Sequence, residues 1–173
     1  MGVVLIGYRG SGKTTVGRLL AERIGKPFVD CDVLIVKEAG KSIREIFLAE
    51  GEEGFRKIET RVLVKCAADD CVIAVGGGAV IRPENQRALA DGGHRMVYLR
   101  CEAPELLRRI EGDAGTSDNR PDLTSLGGGI EEIEAVLEQR EPIYRSLMSM
   151  EIDVTNLSPE QAADRLAKLI GND

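Results

Sequence analysis

One stretch near the N-terminus limits what this chain can fold into more than any other: Gly7-Tyr8-Arg9-Gly10-Ser11-Gly12-Lys13-Thr14, directly after the apolar run Val3-Val4-Leu5-Ile6. It fits G-x-x-x-x-G-K-[ST], which puts a phosphate-binding loop between a buried strand and a helix. With no side chains at Gly10 and Gly12, successive backbone N–H groups can turn inward around a phosphate, and the start of the following helix adds its positive pole. Lys13 is then placed to reach the outer phosphates of a nucleotide, and Thr14 to offer its hydroxyl to Mg²⁺. The sequence after the loop supplies the helix: in Thr15-Val16-Gly17-Arg18-Leu19-Leu20-Ala21-Glu22-Arg23-Ile24, the residues Val16, Leu19, Leu20 and Ile24 share one face.

The 173 residues fit one domain with a proper core, and 43% hydrophobic against 30% charged residues is a globular composition. A net charge of −6 argues against general affinity for nucleic acid or a membrane surface, so an anionic ligand needs a local cluster of arginines and lysines. Cys31, Cys66, Cys71 and Cys101 have no C-x-x-C spacing and do not cluster with the single histidine, His94, which reads as a surface residue. Reduced thiols packed as small apolar groups follow, in a cytoplasmic location. The opening residues carry no basic n-region of a signal sequence, and no apolar run approaches the roughly 20 residues that span a bilayer.

Along the chain, Phe28-Val29-Asp30 reads as a short second strand ending in acid, and Asp30-Cys31-Asp32 opens the segment that follows. Ser42-Ile43-Arg44-Glu45 has capping-box spacing and starts a helix that ends near Gly51; another runs from about 52 to 68, with Phe55, Ile58, Val62 and Cys66 on one face and Arg56 with Glu59 on the next. Cys71-Val72-Ile73-Ala74-Val75 reads as a buried parallel strand ending in Gly76-Gly77-Gly78. A helix starting at Arg82-Pro83-Glu84, a strand at Met96-Val97-Tyr98-Leu99, and a helix carrying Leu106, Leu107 and Ile110 follow. From 112 to 129 Gly, Asp, Ser, Thr, Asn and Pro dominate, the pattern of a lid or binding loop. A helix from 130 to about 148, a strand at Ile152-Asp153-Val154 and a helix capped by Ser158 complete the chain.

Strands alternating with helices imply a three-layer α/β/α fold around a parallel sheet, with ligands at the carboxyl ends of the strands. The phosphate loop, Asp30 with Asp32, the glycines 76–78 and the turn after Val154 all fall on that rim. Asp30 and Asp32 can divide two tasks, one near Mg²⁺ through water and one orienting an acceptor hydroxyl for attack on a γ-phosphorus; they also read as acids at a helix start. The glycines 76–78 allow close approach of a ligand. Arg120, inside the irregular stretch, can bring a cation to the transferring phosphoryl. Arg56 and Arg140 can clamp a carboxylate with paired guanidinium forks. The acceptor these groups imply is a small hydroxylated acid.

Taken in order, the loop 7–14, Asp30-x-Asp32, Phe55-Arg56-x-x-Glu59, the three glycines, Asn119-Arg120-Pro121 and Arg140-x-x-x-Tyr144 resemble the shikimate kinase family over essentially the whole chain. The resemblance implies a single phosphate-loop kinase domain over 1–173 with a five-stranded sheet ordered 2-3-1-4-5, a lid at about 112–129, a substrate-binding helical segment at about 31–62, and a monomer. It implies phosphate transfer from ATP, with Mg²⁺, to the 3-hydroxyl of shikimate in aromatic amino acid biosynthesis. By position, Gly10, Ser11, Gly12, Lys13, Thr14, Thr15, Arg120 and Asn156 would bind nucleotide, Asn156 in the turn against adenine. Thr14 and Asp30, the latter through water, would hold the metal. Asp32, Arg56, Gly77, Gly78 and Arg140 would bind shikimate, and Lys13, Asp32 and Arg120 would serve catalysis. Where the family usually continues Arg-Pro-Leu, Asp122 stands here before Leu123. The alternatives are a kinase of the same fold acting on gluconate or another hydroxy acid, and a regulatory module that binds ATP without transferring phosphate.

Overall fold

The computed structural model describes residues 1–113, 127 and 129–171. In chain order the elements are β1 (Val3–Ile6), α1 (Lys13–Ile24), β2 (Phe28–Asp30), α2 (Cys31–Ala39), α3 (Ile43–Cys66), β3 (Val72–Ala74), a single 3-10 turn (Ala79–Ile81), α4 (Pro83–Asp91), β4 (Arg95–Arg100), α5 (Ala103–Gly112), α6 (Ile130–Leu147), β5 (Met150–Asp153) and α7 (Pro159–Gly171). The strands form one parallel sheet in the order β2-β3-β1-β4-β5, the order that the resemblance implies.

The central strand explains its own apolar sequence. Val4 and Ile6 point into a cluster with Ile35, Ile58, Val62 and Leu89, from α2, α3 and α4. Val3 and Leu5 point into the opposite cluster with Val16 and Leu20 of α1 and Ala163 and Leu166 of α7. With helices on both faces there is no polar side for the sequence to alternate with. Leu5, Ala74 and Asp30 lie in register across β1, β3 and β2. The chain leaving each strand therefore emerges side by side on one edge.

Several local features refine the sequence expectation. The segment after Asp30 is a helix, α2, as the helix-start reading of its acids had it: Asp30 Oδ1 caps it by accepting from Asp32 N at 2.9 Å and Val33 N at 3.4 Å. The two helices expected over 42–68 are both present within α3 and part at the expected place, Gly51, whose φ of 68° and ψ of −175° belong to a region open only to glycine. The capping box at its start is present, with Ser42 N to Glu45 Oε2 at 2.7 Å and Glu45 N to Ser42 Oγ at 3.2 Å. The last strand begins two residues early: β5 is an edge strand in which only Ile152 is buried, so its pattern is faint, and Val154 lies past its end with its N–H bonded to Arg100 O at 2.8 Å. His94, expected at the surface, is half-buried. It fills the slot left by Gly2 and Gly92, a Cβ on either of which would lie within 2.6 Å of its ring, and its Nε2 is 2.8 Å from Ala67 O. Among the described residues, no helix is long and apolar enough to cross a membrane.

Candidate active site

The rim at the strand carboxyl ends is a cleft of about 770 Å³, with Lys13, Asp32 and Gly77 toward one end and Thr155, Asn156 and Pro159 toward the other. Its floor is the loop 7–14. Ser11 N closes the loop by donating to Tyr8 O at 3.2 Å, and Gly12 takes φ 90° before α1 begins, a turn that side-chain-bearing residues rarely make. Lys13 folds back over the loop, donating from Nζ to Gly7 O and Tyr8 O, both at 2.8 Å. Gly10, Gly12, Thr14 and Thr15 line the cleft, and Ser11 is buried directly behind them.

Thr14 Oγ1 donates to Asp30 Oδ2 at 2.7 Å. With its other oxygen capping α2, Asp30 is held at both ends, which bears out its reading as an acid at a helix start. The pair offers a hydroxyl and a carboxylate oxygen, the hard donors that Mg²⁺ takes together with phosphate oxygens and water. No group of three His, Cys, Asp or Glu among the described residues could cage a metal, and an ion held this way does not require one. Asp32, on the first turn of α2, faces the same cleft. Cys31 between them is turned into the core, where its bond to Cys66, and then burial, push its thiol well up.

The glycines 76–78 form a shelf that collects both predicted arginines, Arg56 from α3 and Arg140 from α6. A Cβ on Gly78 would lie 2.6 Å from Arg56 Nη2, and one on Gly77 would lie 3.7 Å from Arg140 Nη1. Arg56 is locked by Glu59, Nη1 to Oε2 at 2.6 Å, and Glu59 is only 1% exposed. A guanidinium fixed by a buried carboxylate loses little freedom on meeting a ligand. Tyr144 donates to Gly77 O at 2.6 Å from a fully buried ring. Burial pushes its hydroxyl up to about 12, against the opposing influence of Arg140.

At the opposite end Asn156 is exposed in the turn after β5, as expected. Sequence reasoning missed the group that holds this turn: Arg109 donates to Val154 O at 2.8 Å and to Glu105 Oε1 at 2.6 Å. Arg108, bonded to Glu105 at 2.7 Å, and then Arg109 bring the Glu105 carboxyl down to about 2. The spacing of Glu105 from both arginines was a signal for ion pairs, but nothing in it said which face of α5 meets the cleft. Arg120, with Asn119, Pro121 and Asp122 of the expected lid, lies outside the described residues; of that stretch, Gly112 ends α5 and Gly129 caps α6.

A glycine-lined phosphate loop at the switch point of a parallel sheet, a hydroxyl–carboxylate pair suited to Mg²⁺ and two arginines gathered at a glycine shelf beside them define a phosphotransferase acting on a small acidic acceptor. Comparison with known proteins gives the family. The family model described as shikimate kinase matches residues 9–171. Over 145 residues, 83% of this chain and 81% of the relative, the chain is 47% identical to a shikimate kinase of Symbiobacterium thermophilum; over 166 residues, 95% of this chain and 92% of the relative, it is 42% identical to that of Thermobifida fusca. The solved structure of shikimate kinase from Acinetobacter baumannii in complex with shikimate superposes with a TM-score of 0.90 at 34% identity, covering 99% of this chain and 93% of that one. The chain belongs to the shikimate kinase family.

Proposed function

We propose that this protein transfers the γ-phosphoryl group of ATP to the 3-hydroxyl of shikimate, giving shikimate 3-phosphate and ADP, a step toward the aromatic amino acids. The observation that carries this reading is the meeting of Arg56 and Arg140 on the Gly77–Gly78 shelf, whose Gly77 lines the same cleft as the Thr14–Asp30 pair. The two guanidinium groups hold the acceptor's carboxylate, and the shelf lets its ring lie against backbone. Gly10, Ser11, Gly12 and Thr15 surround the nucleotide phosphates, Asn156 lies beside the base, and Lys13 swings from its carbonyl partners to the outer phosphates.

Thr14 and, through water, Asp30 would hold Mg²⁺, which would supply positive charge to the phosphates when bound. Asp32 orients the 3-hydroxyl and takes its proton as that oxygen bonds to the γ-phosphorus and the bond from phosphorus to ADP breaks; the proton then passes to solvent. Arg120 adds a cation to the phosphates, a role resting on its place in the family pattern. The protein acts as a monomer in the reducing cytoplasm, and four cysteines that are all buried as free thiols support the reducing location.

The test is ADP release by the purified protein with ATP and Mg²⁺, run with shikimate, with gluconate and with no acceptor. Shikimate alone should raise the rate far above background, and Asp32→Asn should cut that rate by about a hundredfold with ATP affinity unchanged. Equal stimulation by gluconate would move the reading to a broader hydroxy-acid kinase. ATP binding with no stimulation by either acid would leave a nucleotide-binding regulatory module.

A further inference from the structure

Arg9 lies in the third position of the phosphate loop and lines the cleft together with Lys13, Asp32 and Gly77. Of the other arginines near the cleft, Arg56 is paired with Glu59, and Arg108 and Arg109 with Glu105. No carboxylate of a described residue pairs with Arg9. Its Nε is shut off from water and has no hydrogen-bond partner among the described residues. A guanidinium N–H stripped of water and left without an acceptor costs the fold free energy. That cost is recovered when an anion supplies the acceptor.

The position of Arg9 says which anion. Its backbone N lies 3.4 Å from where a Cβ on Gly77 would stand, and that same point is 3.7 Å from Arg140 Nη1. Arg9 thus comes to the shelf from the phosphate loop, while Arg140 comes to it from α6. The acceptor's carboxylate already has two forks, Arg56 and Arg140. The residue directly before Gly10 stands where the loop that holds the nucleotide phosphates touches the shelf that holds the acceptor, and the anion that crosses this border is the phosphoryl group itself.

The geometry points to Arg9 as a further catalytic residue, whose guanidinium donates to the phosphoryl group during transfer and then grips the phosphate of the product. This rests on the reading of the site as a kinase of shikimate. Planar N–H forks match phosphoryl oxygens, and a donor aimed at charge that develops during reaction acts on turnover more than on substrate binding.

The experiment uses the full chain with Arg9→Gln and Arg9→Lys beside the unaltered protein. It measures kcat and KM for both substrates, and calorimetric affinity for shikimate and for shikimate 3-phosphate. Arg9→Gln should lower kcat by about a hundredfold, leave the KM for shikimate and the affinity for ATP within about twofold, and weaken shikimate 3-phosphate by about tenfold while shikimate is unaffected. Arg9→Lys, which keeps the charge, should recover part of each loss and stands in if Arg9→Gln fails to fold. Unchanged kcat and product affinity overturn the inference. A raised shikimate KM with kcat intact also overturns it, placing Arg9 on the carboxylate instead. Failure of the unaltered protein to phosphorylate shikimate overturns the kinase reading and takes this inference with it, whereas an active protein indifferent to Arg9 defeats the inference alone.

Discussion

Tyr144 is the side chain that fastens α6 to the shelf. Its hydroxyl serves Gly77 O, and its ring packs on Tyr98 with centroids 5.1 Å apart. In Tyr144→Phe the ring contact survives and the carbonyl of Gly77 loses its donor, so unfolding free energy in urea should fall by about 1–2 kcal/mol. Because Arg140 sits one helical turn before Tyr144, the KM for the acceptor should rise severalfold while nucleotide affinity stays the same. A parallel loss for both substrates would mean that the whole sheet edge has shifted. At this scale the sequence was informative where chemistry is local. Lys13, Thr14, Asp30 and Asp32 sit where their motifs put them, since each is positioned by neighbours within a few residues. Tyr144 belonged to the recognised pattern, but its task could not be read, because its partner lies 67 residues away.

At the scale of elements, the bend in α3 decides where Arg56 points. Gly51 has open space around it, and a Cβ there would meet nothing within 4 Å. The cost of Gly51→Ala is therefore backbone strain alone, about 1–3 kcal/mol, seen as a lower urea midpoint at unchanged slope. A neutral result would show that the bend can be relieved without glycine. Helices with a clear start signal or apolar face, α1, α3, α4 and α7, were legible, as was the buried β1. The edge strand β5 was displaced by two residues because it buries one side chain, and α2 was legible only through the acids at its start and the family pattern, because its apolar run, Val33-Leu34-Ile35-Val36, carries no clear period. Its cap, Asp30, was visible, but was weighed chiefly as chemistry.

For the molecule as a whole, all three tyrosines are buried, and burial raises each hydroxyl above its ordinary value: Tyr8, Tyr98 with the help of Glu141, and Tyr144 to about 12. An acid whose folded value exceeds its unfolded value of about 10 contributes stability that is complete below pH 10. That contribution is lost as pH rises from 10 toward 12. The urea midpoint should fall steeply across this window, less steeply in Tyr144→Phe, and the phenolate absorbance should appear together with unfolding. Phenolate titrating near pH 10 in a still-folded chain would refute the burial account.

By itself the sequence determined the phosphate loop, the alternation of strand and helix, the parallel sheet and the rim on which a ligand must lie. Those follow from turn chemistry, capping and periodicity, which act over one or two turns of chain. Only the tertiary structure decided that the backbone of Arg9 and the side chains of Arg56 and Arg140 gather at two glycines, that Arg109 reaches back to the turn after β5, and that His94 packs against Gly2 and Gly92. Each of these depends on the angle at which one element crosses another, and that angle is set by the packing of the two cores against both faces of the sheet, which no local pattern encodes.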